Sequence, residues 1–283
     1  MQMPSSEANI ALSSFIGSCT IFLFTSFLTF SQQISSLFIN IIIIAITSFI
    51  NFSALKCIYR NYDFEIAIRA SFLGSVFAIG LYIKLNTPSN IEIFGIYMCI
   101  MAIFHYTEFL ALALIDPKLV SPKSFVINHS PEYTFAALFS WVEFFTETYF
   151  WPNLKQYRII SLLGCIICIG GEMLRKTAMF NAGTNFNHLV QYKKAKDHVL
   201  VTTGVYSWFR HPSYVGWFYW SIGTQIVLLN PISIVGYAIA SWIFFKQRIF
   251  IEELTLLNFF GQQYCDYQNS VSTGIPFIKG YLI

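Results

Sequence analysis

The residues best suited to chemistry lie in two short stretches of the C-terminal half. Arg210-His211-Pro212-Ser213-Tyr214 gathers a guanidinium, an imidazole and two hydroxyls, while Arg248, Glu252 and Glu253 add a second cation and two carboxylates. Proline is well tolerated in the first turn of a helix, so His211-Pro212 marks a helix start, whose free backbone N–H groups attract anionic groups. Arg248 and Glu252, four residues apart, share one helical face. Such a set can hold and orient an anion while a carboxylate balances a neighbouring cation. A plainer reading stands beside it: His211 and Pro212 as capping residues, Arg210 as a cytosolic anchor, and Arg248 with Glu252 as a solvated ion pair at a helix end.

The elements that must position these groups are membrane helices. Of the 283 residues, 55% are hydrophobic and 11% charged, against roughly 25% charged in an average soluble domain. The apolar residues come in runs. No charge occurs in residues 8–55 or 212–245, and each stretch is roughly twice the ~20 residues that cross a bilayer, hence a two-helix hairpin. A tight Asn230-Pro231 turn between two spans of similar length returns Arg248 and Glu252 to the depth of His211 and Tyr214.

The whole chain reads as an all-α integral membrane protein of about eight transmembrane helices: 10–30, 35–55, 64–84, 90–115, 133–151, 153–176, 212–229 and 232–249. The polar Ser31-Gln32-Gln33 parts the first two. Residues 1–115 form four N-terminal spans and 116–283 a catalytic membrane core. No basic region precedes the first apolar run, so a cleaved leader is not expected. With the N-terminus in the cytosol, Lys84, Lys155 and Arg158 face the lumen and the other fourteen of seventeen Lys and Arg face the cytosol, as the positive-inside rule requires. The segment between Pro117 and Pro131, with Lys118, Lys123 and His129 around Phe125-Val126-Ile127, suits the membrane surface.

From Thr177 the chain turns polar, and a loop of about 30 residues with Asn181, Asn185, Asn187 and His188 is of the length that often carries function. Interfacial solvation is the alternative. Cys165 and Cys168 form a C-x-x-C inside an apolar run with no second pair and no nearby His, so they read as small buried hydrophobes and no metal is expected. Acids within or near spans are functional suspects, which singles out Glu108, Glu143 and Glu147, although the latter two also mark a helix end. Charge is scattered (net +3), so nucleic acid is set aside as a partner. No G-x-G-x-x-G occurs, which argues against a Rossmann-type nucleotide site.

The run RHPSYVGWFYWSIGTQIVLLNP, the spacing R-x-x-x-E-E, FFG-x-x-Y-x-x-Y and TGIPF, with HVLVTTGVYSWF upstream, resembles the isoprenylcysteine carboxyl methyltransferase family. The likeness covers about residues 183–279; the first 115 add little beyond hydropathy. It implies methyl esterification, by S-adenosylmethionine, of the prenylated C-terminal cysteine left after CaaX processing of proteins such as small GTPases, at the cytosolic face of the endoplasmic reticulum. It further implies that the cofactor is held in a cytosolic loop by Gln191, His198, Val199, Leu200, Val201, Tyr206, His211, Pro212, Ser213, Tyr214 and Glu252. Arg248 then lies at the substrate carboxylate as the catalytic residue. Trp217 and Phe218, with Tyr214, form an aromatic stripe that either lines a prenyl tunnel or is ordinary helix packing.

A carboxylate with a pKa of about 3.5 is ionised at neutral pH and needs no general base, only alignment. The alternatives are a phospholipid N-methyltransferase, whose cationic headgroup Arg248 would disfavour, an NADPH-dependent sterol reductase, and a transporter or scaffold. The last predicts internal repeats, and none is found.

Overall fold

The structure, a computed structural model, describes residues 5–31, 37–127 and 130–281, the side chains of 26–41 apart. Gln32, Gln33 and His129 lie outside the described residues. All regular structure among the described residues is helical: α1 Ser6–Ser31, α2 Leu37–Ile58, α3 Asn61–Asn86, α4 Ser89–Ile115, α5 Pro131–Phe150, α6 Arg158–Ala182, α7 Pro212–Leu228, α8 Pro231–Phe260 and α9 Gln262–Ser270, with short 3-10 turns between them. Of these, Ser6–Thr25, Asn61–Asn86, Ser89–Ile115 and Pro231–Phe260 are long and apolar enough by themselves to cross a membrane.

The chain divides into two compact units, Met1–Ser130 with Trp151–Gln156, and Pro131–Phe150 with Tyr157–Ile283. In the first, a polar knot joins α1, α2 and α3: Ser18 donates to Ser71 at 2.7 Å, and Asn51 Nδ2 reaches both hydroxyls at 2.7 and 2.8 Å. Such bonds hold helices together where lipid provides no hydrophobic drive. After α4, Phe125 is buried and stacks on Phe109 at 4.1 Å, and its carbonyl bonds His105 Nδ1 at 3.1 Å. The Phe125-Val126 pair therefore turns inward onto α4.

In the second unit α6 and α7 cross closely because glycines face each other. A Cβ on Gly171 or Gly216 would strike the other's carbonyl oxygen, and Cys168 packs in the same seam beside Gly223. The opposite side of α6, with Ile159, Leu162, Ile166, Ile169 and Met173, is exposed, as a bilayer-facing surface must be.

The α7–α8 turn is built as expected and braced by α5. Leu229 closes α7 in the left-handed conformation, and buried Asn230 donates to the Ser140 carbonyl at 2.9 Å. Glu143 accepts the Ile232 and Ser233 backbone N–H groups at 2.7 and 2.8 Å, capping α8 from a neighbouring helix. That gives this acid a structural task.

Three boundaries differ by five residues or more from the hydropathy reading. α6 begins at Arg158, behind a 3-10 turn Pro152–Gln156 in which Lys155 is wholly buried. α6 also runs on to Ala182, so the first six residues of the polar stretch are helix. α8 continues past residue 249 to Phe260, since backbone hydrogen bonding does not end where an apolar run ends.

Candidate functional site

α7 starts at Pro212 with His211 as its N-cap, and α8 carries Arg248, Glu252 and Glu253 beside that start. Tyr214 is the hinge between them. Arg248 Nε donates to the Tyr214 hydroxyl at 2.8 Å, and that hydroxyl donates in turn to Glu252. The His211 and Tyr214 rings stack with centroids 5.6 Å apart, and Tyr214 stacks on Phe245 at 5.3 Å. Arg248 also donates to the His188 carbonyl, which brings the polar loop onto α8. Its other terminal nitrogen makes no hydrogen bond among the described residues.

The paired glutamates have opposite environments. Glu253 is fully buried and saturated: Arg210 Nε at 2.8 Å, His211 Nε2 at 3.0 Å, the Tyr264 hydroxyl at 3.2 Å, Gln268 Nε2 at 3.1 Å and the Tyr281 N–H at 2.8 Å all meet its carboxylate. Glu252 is 27% exposed, and its one ion-pair contact among the described residues is His211 Nδ1 at 4.0 Å. A partly exposed carboxylate without an Arg or Lys partner suits a cationic ligand; a saturated buried one does not.

Arg210 is a core residue instead of a cytosolic anchor. Besides Glu253 it reaches the carbonyls of Gln268, Val271 and Lys279, and so ties α9 and the C-terminal segment to the start of α7. Gly280 passes so close to Glu253 that a Cβ there would overlap the carboxylate, and its φ of +83° is one that only glycine adopts freely.

The loop residues gather around the end of α8. His198 meets Phe259 and Phe260 edge-on at 5.8 and 5.3 Å, and Lys194 donates to the Phe259 carbonyl at 2.9 Å while lying 4.2 Å over the Phe260 ring. Burial, then the Lys194 charge, lowers the His198 pKa below its ordinary value. The Val199 N–H donates to Asn185 Oδ1 at 2.9 Å. Leu200 packs on Leu257, Tyr264 and Tyr267, and Val201 is half-buried. Tyr206, in a 3-10 turn, accepts from the Tyr267 hydroxyl at 2.6 Å. Its own hydroxyl is held well above the usual tyrosine range, by burial and then by Glu252. Gln191 is exposed and bonds only locally, to the Leu189 carbonyl at 3.0 Å.

Ser213 accepts from Arg175 of α6 at 2.6 Å, and that guanidinium lies 4.6 Å over the Trp217 ring. Phe218 is buried in a cluster with Val215, Phe245, Ile249, Ile275 and Ile278, against which Trp217 also packs. Arg175 has no role in the sequence reading, and Glu253 stands there only as the second of two paired glutamates. Each is a charge near a bilayer-spanning run, and that cost of burial was the available signal.

A sequence model of the isoprenylcysteine carboxyl methyltransferase family matches residues 162–258. A protein-S-isoprenylcysteine O-methyltransferase of Tribolium castaneum is 59% identical over 99% of this chain and 100% of its own length. The Homo sapiens protein of that name is 54% identical over 80% of this chain and 79% of its own length. A solved structure of a eukaryotic intramembrane Ras methyltransferase superposes with a TM-score of 0.97 at 59% identity, covering 98% of this chain and all of that one. The chain belongs to the isoprenylcysteine carboxyl methyltransferase family.

Proposed function

We propose that this chain moves a methyl group from S-adenosylmethionine to the C-terminal carboxylate of a prenylated cysteine, as left by CaaX processing of proteins such as small GTPases. The observation that carries the reading is the Arg248–Tyr214–Glu252 chain. It sets an oriented guanidinium with a spare nitrogen beside a carboxylate lacking an Arg or Lys partner, one for an anionic acceptor and one for a cationic donor.

S-adenosylmethionine fits the donor set: Glu252 answers its positive charge, the His198–Phe260 edge offers ring contact, and Gln191, Tyr206 and the backbone of residues 198–201 offer polar contacts. His211, Pro212, Ser213 and Tyr214 complete the set at the start of α7. When bound, it supplies an electrophilic methyl on a sulfonium. Arg248 orients the acceptor carboxylate, already ionised with a pKa of about 3.5, so no residue need remove a proton. Because Tyr214 and the His188 carbonyl already occupy two of its nitrogens, Arg248 holds the acceptor without smothering it, which keeps the carboxylate nucleophilic. Trp217 and Phe218 take the apolar side of the substrate.

The eight long helices serve as spans, with the N-terminus and the site on the cytosolic side of the endoplasmic reticulum; the excess of Lys and Arg in the corresponding loops supports this orientation. Residues 1–115 then form the N-terminal spans and 116–283 the catalytic core. The test is to give membranes containing the protein labelled S-adenosylmethionine and either farnesylcysteine or phosphatidylethanolamine. Base-labile label on the cysteine is expected, and label in lipid alone overturns the proposal.

A further inference from the structure

A groove of about 650 Å³ runs along α8 and the C-terminal segment, lined by Trp242, Lys246, Phe250, Phe277 and Lys279 among others. At 3.6 residues per turn its α8 residues lie about half a turn from Arg248 and Glu252, so the groove is separate from the methyl-transfer site. Trp242 Nε1 donates to the Pro276 carbonyl at 2.8 Å, which fixes the far wall to α8, and Lys246 Nζ lies 5.0 Å over the Trp242 ring. Among the described residues neither Lys246 nor Lys279 has a carboxylate within ion-pair distance.

Two further observations locate this groove relative to the bilayer. Lys246 is the first charge after the uncharged run 212–245, so the groove opens where α8 leaves hydrocarbon, the level of lipid headgroups. Phe277 is 94% exposed at φ +63°. A left-handed aromatic residue is costly, and a ring that the protein leaves uncovered recovers nothing there in water but does recover apolar contact in lipid.

We propose that this groove binds the headgroup of an anionic phospholipid, with Lys246 and Lys279 taking its phosphate and acidic group and Trp242 and Phe277 lying at the acyl boundary. The inference depends on the chain's place in a membrane and not on the identity of the methyl acceptor.

Native mass spectrometry of the full chain, released from micelles containing dioleoyl-phosphatidylserine or dioleoyl-phosphatidylcholine, tests it. A lysine at a membrane surface favours an anionic lipid by about fivefold, so the protein should retain phosphatidylserine over phosphatidylcholine by roughly tenfold or more. K246Q/K279Q should lose most of that preference while keeping methyl transfer, and K246R/K279R should keep both. Equal retention of the two lipids, an unchanged preference in K246Q/K279Q, or a lost preference in K246R/K279R overturns the proposal. So does displacement of the lipid by millimolar inorganic phosphate, which would mark a site for the free anion.

Discussion

Arg248 Nε and the Tyr214 hydroxyl lie 2.8 Å apart, and the same hydroxyl donates to Glu252, so a single oxygen couples the cation and the carboxylate of the site. Removing that oxygen should leave both charged groups present and misaligned. Tyr214→Phe is expected to lower kcat/KM by roughly tenfold, the scale of one hydrogen bond to a charged group. In a double-mutant cycle with Arg248→Lys the two losses should fall short of additive, because both remove the same alignment.

Arg248→Ala should lower kcat by roughly 100-fold or more, since orientation of the acceptor is lost. Binding of S-adenosylmethionine, measured by calorimetry, should change less than about threefold, because ion pairing to the donor falls to the other side of Tyr214. A fully active Arg248→Ala would remove the acceptor role.

The two glutamates should separate cleanly. Glu252→Gln should weaken donor binding by roughly tenfold and leave the melting temperature within about two degrees, as a partly exposed carboxylate contributes little to folding. Glu253→Gln leaves Arg210 buried without its counter-charge and should cost about 3 kcal/mol or more in stability. Thermal melting of the two variants with and without S-adenosylmethionine checks both.

Glu143→Ala should lower stability by about 1 kcal/mol through the lost cap on α8, while donor affinity and pH dependence stay as they are. A loss of activity greater than the loss of folded protein would show that this acid does more than cap.

The His198 pKa lies below its ordinary value of 6.5 through burial and then Lys194. With the folded pKa below the unfolded one, the unfolded chain binds more protons as pH falls through 6.5, and folded stability drops with it. Between pH 7.5 and 5.5 the melting temperature of the natural chain should therefore fall further than that of His198→Gln.

Much of this arrangement is legible in the amino-acid sequence. Pro212 sets the start of α7, Asn230-Pro231 sets the turn, and two spans of similar length bring Arg248 back to Tyr214; each rests on local chemistry or on arithmetic. The burial of Arg210 and Glu253 was not legible, because it depends on residues 271–281 folding back over the start of α7, a long-range contact with no periodic signal. The reach of α8 is legible only in part: Arg248, Glu252 and Glu253 carry the helix past the apolar run, but nothing local fixes its end at Phe260. Hydropathy reports where a helix leaves the bilayer, and Lys246 marks that exit, whereas the helix itself goes on to present Glu252 and Glu253 to the loop.

The most direct measurement concerns the acceptor atom. The purified protein in lipid nanodiscs, given S-adenosylmethionine with a labelled methyl, is offered a farnesylated cysteine peptide with a free C-terminal carboxylate and the same peptide with that carboxylate amidated. The Arg248–Tyr214–Glu252 arrangement predicts base-labile label on the acid and none on the amide. Equal labelling of both peptides, or label that base cannot release, would contradict carboxylate methylation at this site.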